Sequence, residues 1–210
     1  MEELLSLLRT YYNDNPDELI LSPWSFGYSN GDIPPHWKIT YDLLSEFSRD
    51  SRIIEVGCGV GDITVIPCSL GFSSIVSYER STELANAATR KINILFNRTD
   101  VVKKSSFPEG NVCQCDVLLV VNCVYTDNVK SHLDYLNNLR LLYTSAGSPT
   151  KYILEVIDSS YSVPDPEFPE YIRVSEAEVR NLFPSCKISA FVSYQYPTNR
   201  RTKKIYLIEK

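Results

Sequence analysis

One run of this sequence has the residue types and spacing of a ligand loop: Glu55-Val56-Gly57-Cys58-Gly59-Val60-Gly61-Asp62. Glycine lets a backbone turn sharply and lets a ligand approach where a Cβ would stand in the way. The run follows Ile53-Ile54-Glu55-Val56, a short apolar segment that reads as a strand entering a turn. Such turns lie at the carboxyl edge of a parallel sheet, where ligands bind. The dinucleotide fingerprint G-x-G-x-x-G would place glycine or alanine at position 62, where this chain has Asp62. It has Gly61 instead, an acid two residues before the first glycine, and a second acid, Glu79, eighteen residues after Gly61. A carboxylate at the end of a second strand accepts hydrogen bonds from both hydroxyls of a ribose. A pyrophosphate is disfavoured beside Glu55 and Asp62, whereas a sulfonium bearing an ammonium group is not.

The elements that must hold this loop follow from periodicity. Residues 74–78 read as a second strand; Ser81 reads as a helix N-cap, with Leu84, Ala88, Ile92 and Leu95 on one face. Residues 101–102 open a weak third strand, and 117–121 form a fourth whose unbroken apolarity predicts burial on both faces. A helix over 132–143, a fifth strand over 152–157 and a helix over 175–183 follow. The last of these opens with the capping box Ser175/Glu178. Segments 188–196 and 204–208 alternate across Pro197-Thr198-Asn199 and predict an antiparallel hairpin. The sum is a doubly wound α/β fold, helices on both faces of a mainly parallel seven-stranded sheet with an antiparallel C-terminal hairpin.

Ahead of it, residues 4–12 carry a helical pattern and 37–47 a second one. Residues 21–37, rich in aromatics, glycine and proline, read as a packed arm. The expected organisation is an extension over 1–50, acting as a flap, and a ligand-binding domain over 51–210.

Glu-x-Gly-x-Gly-x-Gly after a first strand, with Glu79 ending Val76-Ser77-Tyr78-Glu79, resembles the class I S-adenosylmethionine-dependent methyltransferases. The resemblance runs from Arg52 to the C-terminus and includes the reversed last strand. It implies a methyltransferase with S-adenosylmethionine as cofactor, S-adenosylhomocysteine as product, and no metal. Glu55, Gly57, Cys58, Gly59 and Gly61 would then face the methionine part. Glu79 would hold the ribose, Tyr78 or Arg80 would lie by the adenine, and Ser105 and Ser106 fall near the adenine amine. Asn122 would touch the cofactor.

The acceptor side is less determined. Asn122-Cys123-Val124-Tyr125 matches two residues of the Asn-Pro-Pro-Tyr motif of some nitrogen-methylating relatives, which makes Asn122 and Tyr125 candidates. His36, in the aromatic arm, is the candidate general base ahead of His132. Ribose 2′-O-methyltransferases use a Lys-Asp-Lys-Glu tetrad, to which Lys38 corresponds, while Asn122, Glu155 and Lys204 depart from it. The basic turn 199–204 would suit RNA. The loop 158–171, with Asp158, Asp165, Glu167 and Glu170 but no Lys or Arg, would suit amines or basic peptides.

Composition narrows the classes. Hydrophobic residues at 43% and charged residues at 22% argue for a globular chain, and a net charge of −5 lowers the expectation of a nucleic-acid partner. No apolar run reaches the ~20 residues that cross a bilayer. The start, Met-Glu-Glu-Leu-Leu, carries acids where a signal peptide is basic. Six cysteines without a Cys-x-x-Cys pair fit reduced thiols. The expectation is a cytoplasmic methyltransferase acting on nitrogen or oxygen of a small molecule or a peptide or protein side chain. The alternatives are an RNA methyltransferase and an inactive partner subunit of the same fold.

Overall fold

A computed structural model describes residues 1–210 except 23–24, 111–112 and 124–128 and the side chain of Ser29. It divides into two compact units, Met1–Phe107 and Pro108–Lys210.

In the first unit, helices α1 (Glu2–Asp14), α2 (Glu18–Leu21), α3 (Phe26–Asn30) and α4 (Pro35–Ser45) precede β1 (Ile53–Val56), α5 (Val65–Ser69), β2 (Ile75–Tyr78), α6 (Thr82–Phe96) and β3 (Val102–Lys103). The three strands are parallel in the order β3-β2-β1. All four residues of β1 are buried, as a strand covered on both faces requires. The Ser81 hydroxyl caps α6 by accepting the Leu84 N–H, and Asn97 ends it in the left-handed conformation. Leu4, Leu5, Leu8, Tyr11 and Tyr12 form the buried face of α1.

The arm expected over 21–37 is more regular than its composition suggests. It holds α3 and the start of α4, whose first residue is Pro35, a position where the missing N–H is no loss. Conversely, the helix after the glycine loop is short and begins only at Val65.

In the second unit, β4 (Val117–Val120), α7 (His132–Ser145), β5 (Lys151–Asp158), β6 (Arg173–Val174), α8 (Glu176–Leu182), β7 (Lys187–Tyr194) and β8 (Lys203–Glu209) follow in order. A 3-10 turn, Glu170–Ile172, leads into β6. The strand order is β4-β5-β8-β7, with the two-residue β6 pairing β5 as well. Strand β4 runs parallel to β5, and β8 runs antiparallel to both β5 and β7. The capping box of α8 is complete, since the Ser175 hydroxyl accepts from Glu178 N and Glu178 accepts from Ser175 N. The described strands therefore number eight rather than seven, the addition being β6. Among the described residues no helix is long and apolar enough to cross a membrane.

Candidate functional site

The glycine loop is built on three left-handed residues, Gly57 at φ 70°, Gly59 at φ 55° and Gly61 at φ 86°. Two of them are glycine for different reasons. A Cβ on Gly61 would meet the Ala88 Cβ at 3.2 Å, so this glycine lets α6 pack against the loop. A Cβ on Gly59 would meet nothing within 4 Å, so there the missing side chain leaves open space beside the backbone.

Four of the loop's backbone donors go to protein. The N–H groups of Gly57 and Cys58 both reach the Tyr78 carbonyl, at 2.9 and 3.1 Å, and Gly61 N–H reaches the Cys58 carbonyl at 2.8 Å. Gly59 N–H goes to Glu79 Oε2 at 2.9 Å, and Ser81 N–H to Glu79 Oε1 at 2.8 Å. Phosphate-binding loops work in the opposite way, aiming such groups at the ligand from the start of a helix. A loop with four donors so engaged, followed by a helix that starts four residues late, is a poor phosphate cradle.

Glu55 is 2% exposed, and its Oε2 accepts from the Thr64 and Ser77 hydroxyls, both at 2.7 Å. Burial pushes its pKa up to about 7, against the opposing effect of those two hydrogen bonds; the nearby acids Asp62 and Glu79 add to the rise. A carboxyl raised in the folded state holds its proton there while the unfolded chain has lost it. Glu55 therefore contributes stability at acid pH that is lost as pH rises from about 4.5 to about 7. Glu55→Gln keeps an oxygen for the two hydroxyls and removes the titration. Its melting temperature relative to the parent should climb across that interval and level off above it; parallel profiles would refute the assignment.

Asp62, the residue that departs from the dinucleotide pattern, has its carboxylate and its carbonyl engaged by protein. Its Oδ1 accepts from the Tyr12 hydroxyl at 2.5 Å and the Lys91 ammonium at 2.7 Å; its Oδ2 accepts from the Ser25 hydroxyl. Its carbonyl accepts the Trp37 indole N–H at 2.8 Å. Burial pushes the Asp62 carboxyl up, but Lys91 and the hydroxyls outweigh it and hold the group below the ordinary value. Contrary to the expectation from sequence, Asp62 offers no unmatched charge to repel a pyrophosphate: its charge is matched by Lys91 and turned into protein.

The other expected residues fall as follows. Cys58 is buried and Tyr78 packs on Phe107 at 5.0 Å, while Arg80 and Ser106 are exposed. His36, in the first turn of α4, is 5% exposed. Lys38 is on the solvent side of α4, paired with Asp42 at 2.5 Å. His132 ties α7 to the 3-10 turn before β6 and to α8: Nδ1 meets the Tyr171 carbonyl at 3.0 Å and Nε2 the Glu178 carboxylate at 2.6 Å. Tyr125 and Trp24 lie outside the described residues.

In the second unit, Asn122 is left-handed at φ 52°, with its N–H on Glu155 Oε2 at 2.9 Å and its Oδ1 accepting from Lys203 at 3.2 Å. Ser193 donates to Glu155 Oε1 at 2.7 Å, and Lys203 stands 3.5 Å from Oε2. A polar cluster thus forms just past the carboxyl end of β4, against the middle of β5.

The acidic loop and the basic turn, read as rival substrate surfaces, neutralise each other. Arg201 pairs with Asp165 and Glu167, both at 2.6 Å, Arg200 with Glu167 at 3.5 Å, and Lys204 with Asp158 at 2.9 Å. The hydrogen-bonded Arg201 guanidinium holds Asp165 down to about 2. Arg173 braces the same loop through the carbonyls of Tyr161, Val163 and Phe168.

The sequence reading missed Lys91, Tyr12 and Ser25. The available signal was Lys91 itself, one position from the apolar face of α6 and fully buried there. Among the described residues no cluster of three or more His, Cys, Asp or Glu is placed to hold a metal.

No family model matches the chain, and no curated protein sequence does. Solved structures match it over nearly its whole length. Magnesium protoporphyrin IX methyltransferase from Synechocystis PCC 6803 with bound SAH aligns over 99% of this chain and 100% of its own, with a TM-score of 0.66 at 12% identity. The fold is that of the class I S-adenosylmethionine-dependent methyltransferases. The CcbJ methyltransferase from Streptomyces caelestis aligns over 86% of this chain and 98% of its own, with a TM-score of 0.62 at 10% identity. The methyltransferase domain of bacterial CtHen1 aligns over 84% of this chain and 96% of its own, with a TM-score of 0.60 at 13% identity. In this fold the glycine loop follows β1 and Glu79 follows β2, both at the carboxyl ends of parallel strands.

Proposed function

We propose that this chain is an S-adenosylmethionine-dependent methyltransferase acting on a nitrogen or oxygen of a small molecule or of a peptide or protein side chain. The observation that carries the reading is the loop with four of its own N–H donors engaged, open at Gly59 and edged by the Glu79 carboxylate. That donor set suits a ribose and an amino-acid end better than a pyrophosphate. The loop from Gly57 to Gly61 would hold the methionine part, Glu79 the ribose hydroxyls, and Tyr78 or Arg80 would lie by the adenine. When bound, the cofactor supplies an electrophilic methyl group on a sulfonium.

The protein's own work is alignment and exclusion of water. Asn122, exposed and with its amide oxygen accepting from Lys203, is the proposed acceptor-side contact, its backbone held by Glu155. The burial of His36 and the Asp42 pair of Lys38 support leaving both out of the proton-transfer step. Residues 1–50 are proposed as the extension and 51–210 as the transferase domain.

The test is calorimetric titration with S-adenosylmethionine, followed by incubation of the protein with methyl-labelled cofactor and a cell extract. The label is then separated into protein, nucleic-acid and small-molecule fractions. Label in the protein or small-molecule fraction is expected. Label in RNA would install the RNA reading. A chain that binds no cofactor would be the partner subunit.

A further inference from the structure

The residue after Gly61 is tied down at both its ends by the N-terminal helices. The Asp62 carboxylate is held by Tyr12 of α1, by Ser25 just before α3, and by Lys91 of α6, while its carbonyl is held by Trp37 of α4. Lys91 donates on to the Tyr12 hydroxyl at 2.5 Å and lies 4.6 Å from the Tyr12 ring centroid, so the three groups form one closed network. Lys91 is fully buried, and Tyr12 is 1% exposed. None of these contacts faces solvent, and the four partners lie between 25 and 50 residues from Asp62 in sequence.

The loop needs such an anchor. Three glycines within five residues give it many backbone conformations, and only one of them puts Gly59 N–H on Glu79 and Gly61 against Ala88. The described helix that follows starts at Val65, too late to set Gly61 by its own hydrogen bonds except through Val65 N–H to the Gly61 carbonyl at 3.1 Å. Fixing the carbonyl and the carboxylate of Asp62 fixes the exit of the loop. A site held by a rigid supporting shell binds better than the same residues left mobile.

We infer that Tyr12, Ser25 and Trp37 are positioning residues for the cofactor loop: the N-terminal segment shapes the loop from behind, through Asp62. This rests on the cofactor reading of the loop given above. It differs from a flap, because the contact is with the loop's backbone exit. It also gives Asp62 a use that explains why the dinucleotide pattern is broken at this position.

The test measures the dissociation constant of S-adenosylhomocysteine by calorimetry, and the melting temperature, on the full chain. The variants are Tyr12→Phe, Ser25→Ala and, as a control, Arg98→Ala. Arg98 is in the same unit but braces the carbonyls of Phe72 and Ser73 ahead of β2, at 2.9 and 3.0 Å, the end of the strand opposite Glu79. Tyr12→Phe should raise the dissociation constant ~tenfold, and Ser25→Ala in the same direction, while Arg98→Ala lowers the melting temperature with affinity within about twofold of the parent. If Tyr12→Phe fails to fold, Ser25→Ala, which removes one hydroxyl, decides alone. Affinity that is unmoved in the Tyr12 and Ser25 variants, or that falls equally in the Arg98 control, overturns the inference. A parent chain that binds no S-adenosylhomocysteine overturns the cofactor reading and the inference with it.

Discussion

Lys91→Met is expected to destabilise the protein by about 3–5 kcal/mol, the cost of leaving one member of a buried ion pair without the other. For a chain of this size that is a fall in melting temperature on the order of 10 °C. The methionine fills most of the space of the lysine stem, so the loss measures charge more than volume. Asp62 would be left with the hydroxyls of Tyr12 and Ser25, both neutral donors, in a buried place. Its pKa, held low by Lys91 against burial, would then rise, and the variant would recover on acidification where the parent loses stability. Adding Asp62→Asn should restore part of the loss, because a neutral amide removes the unmatched charge and still accepts from a hydroxyl. The measurement is a set of three thermal melts at neutral pH. A single variant within about 2 °C of the parent, or a double variant less stable than the single, would remove the ion pair from the account of this fold.

How much of this was legible in the sequence depends on the range of each interaction. Capping is local, so the Ser175/Glu178 box and the Ser81 cap were read correctly from three or four residues. The hairpin of β7 and β8 declared itself by alternation around its turn. The glycine loop was legible because its backbone demands glycine whatever surrounds it. Asp62 was misread because its partners come from sites 29, 37 and 50 residues away, and no local rule links them. The helices of the arm escaped notice because Pro23, Pro34 and Pro35 signal a break, although Pro35 at a helix start is compatible with one. The loop 158–171 looked like an acidic mouth because its cations arrive 34 and 36 residues later, from the turn that looked like a nucleic-acid surface. Each feature taken alone suggested a partner outside the protein, and each is the other's partner.

Glu79→Ala should raise the dissociation constant for S-adenosylmethionine at least ~tenfold. The carboxylate spends one lone pair on Gly59 N–H and another on Ser81 N–H. An ionised carboxylate has about four such sites, so two remain for the two hydroxyls of a ribose. Hydrogen bonds to a charged acceptor contribute about 1.5–3 kcal/mol each, and losing even one exceeds the 1.4 kcal/mol of a tenfold change. The substitution also frees Gly59, whose N–H would turn to water or to the ligand, so part of the loss would come through the shape of the loop. Glu79→Gln separates the two effects. It keeps one oxygen for Gly59 or Ser81 but offers an N–H₂ where the other donor points, so its affinity should fall between those of the parent and the alanine variant. Calorimetric titration of the three proteins with S-adenosylmethionine and S-adenosylhomocysteine reads this directly. Both ligands carry the ribose and only one carries the methyl group, so an effect of Glu79 on both by the same factor places the acid at the sugar. Equal affinity of the alanine variant and the parent would mean that Glu79 serves only the loop, and the ribose would have to be sought elsewhere along the edge of β2.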